Sequence, residues 1–187
     1  EGLAVLTAGA AGEDAQESER LQGGVFTHHL VVGLSGAADT SGDRKVTLDE
    51  AYRYAYASTL STTSLAPVVQ HPSYSFDLRG QADVVLTTLD DPDHAGLLQL
   101  TDAGVYVIFD GNVSRLVAEA EVPAGGFVAL APGDYRVRKR LPDRVYELGV
   151  VVRTGSTTPL ATKEMRVQPY GQVARRGSSS GDHVGIG

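Results

Sequence analysis

Leu3-Ala4-Val5-Leu6-Thr7-Ala8-Gly9-Ala10-Ala11-Gly12-Glu13-Asp14-Ala15-Gln16-Glu17-Ser18 is the stretch on which the reading of the fold turns. Its opening residues are apolar without alternation, which predicts a short strand buried on both faces in a parallel sheet. A loop of small residues, Thr7 to Gly12, follows, and then four carboxylates fall within the seven residues from Glu13 to Glu19. Open α/β folds place their ligand sites in loops at the carboxyl ends of parallel strands, and acids there would attract a cation. On spacing alone, a solvated loop whose acids favour the start of the next helix explains the same residues.

Working outward, Gly23-Gly24 precede an apolar segment, Val25 to Leu34, in which Phe26, Leu30 and Leu34 recur at helical spacing. A polar turn, Asp39 to Lys45, leads to a second predicted helix, Leu48 to Leu60, with Leu48, Ala51, Tyr52, Ala55 and Thr59 on one face. Ser61 to Pro72 reads as a Ser/Thr/Pro loop, Tyr74, Phe76 and Leu78 alternate as in a half-buried strand, and Ala82 to Leu86 reads as another strand. Two or three strands and two helices do not close a core of normal size. Residues 1–89 are therefore expected to form one part of a larger α/β unit, a mainly parallel sheet flanked by helices. After a linker, Leu89 to Asp93, the texture changes. Short alternating runs at Leu97–Thr101, Val105–Phe109, Ser114–Val122, Gly126–Ala131, Asp134–Arg140, Tyr146–Val152 and Lys163–Gln168 are separated by the turn pairs Asp110-Gly111, Pro132-Gly133 and Thr154-Gly155. That spacing predicts a small all-β sandwich or barrel over residues 95–175, and a Gly/Ser-rich, disordered tail over 176–187.

Composition narrows the function. No apolar run approaches the roughly 20 residues of a membrane span, and Glu1 to Leu6 lack the basic flank of a signal peptide, so the expectation is a cytoplasmic protein with no membrane partner. The chain has no cysteine, which excludes a disulfide framework, a zinc-thiolate site and a cysteine nucleophile within it. The net charge of −7 lies in the first part, where acids outnumber bases, while the remainder is balanced. That pattern argues against nucleic acid and suits basic ligands or peptides.

The acidic segment, with Asp14-Ala15-Gln16-Glu17-Ser18 followed by Gly24-Val25-Phe26-Thr27, resembles the small-subunit part of caspase-like cysteine proteases, in particular metacaspases and their bacterial relatives. Gln70-His71-Pro72 with the strand Tyr74–Leu78, and the closing strand Ala82–Thr87, resemble the end of the bacterial version, so that the likeness covers about residues 2–88. In that family the catalytic His and Cys lie N-terminal to this part. The resemblance thus implies a fragment that needs a large subunit carrying both residues and acts on protein substrates with no cofactor of its own. It also implies that Asp14 belongs to the pocket for the residue before the scissile bond, with Glu13 and Glu17 as lesser partners. A carboxylate pairs with guanidinium through two charge-assisted hydrogen bonds, so cleavage after Arg or Lys is expected. Regulated proteolysis, as in cell suicide or antiviral defence, is what the family implies. A caspase-fold scaffold without catalysis, using the β domain for docking, is the alternative.

Three further features stand apart from that likeness. Asp39, Ser41, Asp43, Thr47 and Glu50 occupy positions 1, 3, 5, 9 and 12 of an EF-hand-like loop, with Val46 at position 8, so Ca²⁺ is a candidate ligand. Against it, Arg44 replaces the turn glycine, Lys45 adds positive charge, and Thr47-Leu48-Asp49-Glu50 is by itself a capping box. His28, His29 and His71 form no catalytic or metal-ligand spacing, and structural roles are expected, with one of His28 and His29 inward and the other in solvent. On the strand after Pro132-Gly133, Arg136 and Arg138 share a face, which a solvated face or an aggregation-deterring charged edge explains better than binding to an acidic partner or to the acidic first part does. Arg138-Lys139-Arg140 and Arg175-Arg176 would also suit a protease that cuts after basic residues.

Overall fold

Thr47 opens the longer helix through a reciprocal capping box. Its hydroxyl accepts from the Glu50 amide, while the Glu50 carboxylate accepts from the Thr47 amide. Asp49 and Glu50 in the first turn complement the helix dipole. The helix, α2 (Leu48–Thr63), buries Leu48, Ala51, Ala55, Thr59 and Thr63 as one stripe. It runs past the expected end at Leu60 because Thr59 and Thr63 are buried in spite of their modest helix propensity. The computed structural model of the chain describes residues 2–78, 83–89 and 95–169. The expected start of the Ala82 strand, most of the linker and the 176–187 tail lie outside them.

Fourteen strands and two α-helices make up the described residues, so the chain is mostly β. The expected α/β architecture, a mainly parallel sheet flanked by helices, is not what forms. The opening strand, β1 (Gly2–Thr7), pairs antiparallel with β5 (Ser73–Leu78), with Ala4 opposite Phe76 and Leu6 opposite Tyr74, and these two strands are a sheet to themselves. Leu3 is 66% exposed and Val5 43%. The apolar run that predicted burial on both faces is buried on neither: Ala4 is exposed as well and only Leu6 is half-buried, on the face where Tyr74 and Phe76 stack and Tyr74 meets Tyr52 of α2. The remaining small pairs are β2 (Glu17–Ser18) with β3 (Gly23–Gly24), and β4 (Lys45–Thr47) with β6 (Val85–Thr88). The first helix, α1 (Val25–Val32), continues into a π-helical segment, Gly33–Ala37.

The second half forms two sheets. One is three-stranded, in the order β10 (Gly126–Leu130), β7 (Gly96–Leu100), β13 (Thr157–Leu160), with β13 parallel to β7. The other is five-stranded and antiparallel, in the order β14 (Arg166–Pro169), β12 (Arg144–Val152), β11 (Gly133–Arg140), β8 (Gly104–Asp110), β9 (Leu116–Val122). They share one core: Leu98, Leu100, Val128, Leu130 and Leu160 meet Tyr106, Ile108, Ala118, Ala120, Val122, Val137 and Val152, with Met165 among them. Tyr106 is fully buried and donates its hydroxyl to the Asp102 carbonyl, 2.6 Å away, which satisfies the one polar atom the ring carries inward.

Val32 and Ala37 belong to the same core cluster, so the helical part is packed onto the sandwich. The π-helical segment reaches the β10 edge and α1 reaches β9, covering two edges that would otherwise invite other strands. Arg44 adds to this junction by laying its guanidinium over Phe127 at 5.2 Å. No helix among the described residues is long and apolar enough to cross a membrane.

Gly36 makes the junction possible. Its φ is +115°, and a Cβ there would stand 2.8 Å from the Phe127 carbonyl oxygen. Gly36→Ala therefore combines backbone strain with a clash and should destabilise the chain by about 3 kcal/mol, read as a lower urea midpoint. An unchanged midpoint would show that the segment does not pack this closely.

Candidate functional site

The acidic loop is held from the opposite end of the first part. Gln70 is 1% exposed. Its carboxamide oxygen accepts from the Gln16 amide at 3.0 Å, its NH₂ donates to the Ala8 carbonyl, and its own amide donates to Thr63 Oγ1 at 3.1 Å. Beside it, the His71 amide and ring Nδ1 both lie 2.9 Å from the Glu13 carboxylate, one on each oxygen. The His71 amide, and then its ring, hold the Glu13 carboxyl below the usual carboxylate range. Gln16 also donates its side-chain NH₂ to the Val68 carbonyl. Segments 8–18 and 68–72, which are far apart in sequence, thus form one hydrogen-bonded platform.

Three acids were expected to serve one pocket, and their surroundings now separate them. Glu13 is committed to His71 and the Ala10 amide. The Asp14 and Glu17 side chains are exposed and make no hydrogen bond or ion pair among the described residues. Asp14 sits next to the pinned Glu13, so its backbone is placed while its carboxylate is free to pair with a cation. The part Gln70 and His71 play in holding the acidic loop has no local signal, because the loop groups they bind are more than fifty residues away.

In the 39–50 loop, Asp39 is 4% exposed and accepts from the Gly42 amide at 2.7 Å, the Arg44 amide at 3.0 Å and the Ser41 hydroxyl at 3.2 Å. Glu50 accepts from Thr40 Oγ1 and the Ser41 amide on one oxygen and from the Thr47 amide and hydroxyl on the other. Burial raises its pKa, but these bonds outweigh it and hold the carboxyl low. Arg44 adopts φ +63° at the position where the EF-hand pattern has glycine. Asp43 accepts from the Lys45 amide. Donors of the loop itself therefore surround the two key carboxylates, and no group of three or more His, Asp or Glu able to hold a metal occurs among the described residues. The arrangement fits a helix cap better than a calcium cage.

The paired histidines lie where α1 meets α2 and β9. His29 is 5% exposed, its Nε2 is 2.8 Å from Thr62 Oγ1, and its Nδ1 has no partner. Burial, then the neighbouring His28 and Arg20, pushes its pKa down to about 4. His28 is half-buried rather than in solvent, and burial lowers its pKa as well. The two rings meet edge to face at 5.3 Å. A cleft of about 280 Å³ opens beside His29, lined also by Tyr54, Ser58, Thr62, Glu119 and Glu121. Burial pushes the Tyr54 hydroxyl up to about 12. Glu119 is paired with Arg20 and Arg140, so its charge is neutralised within the fold.

The proposed cleavage point at Arg138-Lys139-Arg140 lies in the middle of the five-stranded sheet. There β11 bonds to β12 on one side and β8 on the other, and Lys139 is buried with its Nζ 3.0 Å from Thr162 Oγ1. A protease needs an extended, accessible chain, so this triplet is protected while the sheet is intact. Arg175-Arg176 lies outside the described residues. No protein-family model matches the chain, and no curated protein or solved structure shows a significant similarity to it.

Two outcomes follow from these environments. A His with a folded-state pKa below its unfolded value favours the neutral form in the fold. Its contribution is full above about pH 6.5 and is lost as pH falls from there toward 4. For His29 the loss should amount to about 3 kcal/mol. Glu13 and Glu50 add their own losses only below the ordinary carboxylate range. Urea titrations from pH 7 to 4.5 should show the decline in the wild type and a flatter profile in His29→Gln, and an identical slope in both would refute the assignment. Asp39→Ala removes the acceptor of two loop amides and should cost about 2 kcal/mol in the same assay. Millimolar Ca²⁺ should leave the wild-type midpoint unchanged, and a calcium-dependent rise would favour the metal reading.

Proposed function

We propose that this chain is the substrate-reading, C-terminal part of a caspase-like cysteine endopeptidase of the cytoplasm that cleaves proteins after Arg or Lys. The catalytic His and Cys would be carried by a separate large subunit. The observation that supports this most is the Gln70–His71 bracket. Two of the stretches that carry the family likeness, 14–18 and 70–72, are joined by the Gln16 amide donating to Gln70, and the adjoining Glu13 bonds to His71. The bracket leaves Asp14 exposed and unpaired on a positioned loop. The reading concerns activity and does not require a parallel sheet within this chain. β1 bonds on one side only among the described residues, so a further strand has an edge to join.

In this reading the chain's own residues do no bond making. Asp14 would take the guanidinium or ammonium of the substrate side chain, orienting the peptide so that the thiolate of the large subunit meets the carbonyl carbon. Glu17 would add negative potential at the rim, and Glu13, committed to His71, would hold the loop. The second reading is a docking scaffold without catalysis, and a chain that has no cysteine fits both readings. A strand ending in Asp-x-Cys, encoded upstream of Glu1 with a His-Gly segment before it, would separate the two.

The test is cleavage of peptides differing only in the residue before the scissile bond, using this chain assembled with its large subunit. Arg and Lys peptides should be cut and Asp peptides spared, and Asp14→Asn should lower kcat/KM for the Arg peptide by roughly 10- to 100-fold. Preference for Asp, or an Asp14→Asn enzyme of full activity, would overturn the proposal.

A further inference from the structure

The outer face of the five-stranded sheet carries a row of arginines whose pairing is incomplete. Arg136, Arg138 and Arg140 point outward from β11, alternating with the inward Val137 and Lys139. The register places Gly149 opposite Arg136 and Glu147 opposite both Arg138 and Arg166. Glu147 divides its two oxygens between Arg136 Nη1, at 3.2 Å, and Arg138 Nε. Arg138 also lies over the Phe109 ring at 5.1 Å.

Three groups remain without an acceptor. Arg136 Nε is buried with no partner. The Arg166 guanidinium makes no hydrogen bond or ion pair among the described residues, and neither does the Gln168 carboxamide. All three border one notch of about 300 Å³, lined by Arg136, Glu147, Leu148, Gly149, Arg166 and Gln168. Gly149 provides the space: a Cβ there would meet nothing of the protein closer than the Tyr135 carbonyl, 4.0 Å away. A buried donor without an acceptor costs about 1–3 kcal/mol, and such a group in a folded protein calls for a partner.

We propose that this notch is a binding site for a carboxylate presented by an acidic peptide segment of a partner. Arg136 and Arg166 would supply the charge-assisted donors and Gln168 a neutral one. Three arginines against one glutamate leave the patch positive, which is the complementarity an acidic segment needs. Glu147 on the same wall selects the kind of anion. It repels a singly charged carboxylate less than a doubly charged phosphate, because the energy scales with the product of the charges. The site is independent of the peptidase reading, since it lies on the sandwich and uses none of the residues of the acidic loop.

Titration of the full chain with a blocked Glu-rich hexapeptide, by calorimetry at low salt, tests this. The expected result is saturable binding that weakens about tenfold or more when the peptide's Glu residues are replaced by Gln, and again in Arg136→Gln. Gly149→Val fills the notch with a residue that strands favour, so it should abolish binding without lowering the melting temperature. Acetate should compete with the peptide more effectively than inorganic phosphate at equal ionic strength. Binding that survives Gly149→Val, equal binding of the Gln peptide, stronger competition by phosphate, or no heat at millimolar peptide would each overturn the proposal.

Discussion

The Gln70 carboxamide is the interaction on which the first part of the chain depends. Gln70 lies in the segment entering β5; its carboxamide bonds to the loop after β1, and its backbone amide bonds to the end of α2. The region has few large apolar side chains with which to close a core of its own: the local cluster is Ala38, Val46 and Ala51, with Leu30, Leu34 and Tyr54 at its margin. Where apolar burial is scarce, a fully satisfied buried polar group specifies geometry that packing alone leaves loose. Loss of either partner would leave a buried amide unsatisfied, so the loop and the helix end are expected to hold or yield together.

The sandwich supplies the rigidity the helical part lacks. Its core runs through both sheets, and Val32 and Ala37 enter that core from the helical side. Arg20 and Arg140 converge on Glu119, adding a polar clamp at the β9 edge. Exposed ion pairs contribute little individually, and this one is better understood as setting the angle of docking than as a source of stability. The other edge strands have their own protection: β13 carries Pro159 and β14 ends at Pro169, each removing a donor that a stray strand would use.

The strands of the second half were legible because each alternates over a few residues and ends at a turn pair that sets the next reversal; six of the seven expected runs contain or overlap the observed strands within two residues, and the last begins three residues later than expected. Thr157–Leu160 was missed because Thr-Thr-Pro reads as a turn, and its parallel pairing with β7 leaves no local trace. Leu3-Ala4-Val5-Leu6 misled because an apolar run implies burial, whereas Leu3 and Val5 face outward here. Thr47 and Glu50 announced the helix cap at a fixed spacing, and that expectation required nothing distant. The bracket at Gln70 and the arginine notch both arise from residues brought together by the fold, so their pairings leave no trace in the local sequence.

Met165 has a chemical consequence. It is the single methionine, it is 6% exposed within the sandwich core, and the chain has no thiol. Oxidants act first on accessible sulfur, converting thiolates to sulfenic acid and thioethers to sulfoxide. This chain offers them almost none, so its platform and its arginine face should keep their shape under peroxide stress that oxidises exposed thiols.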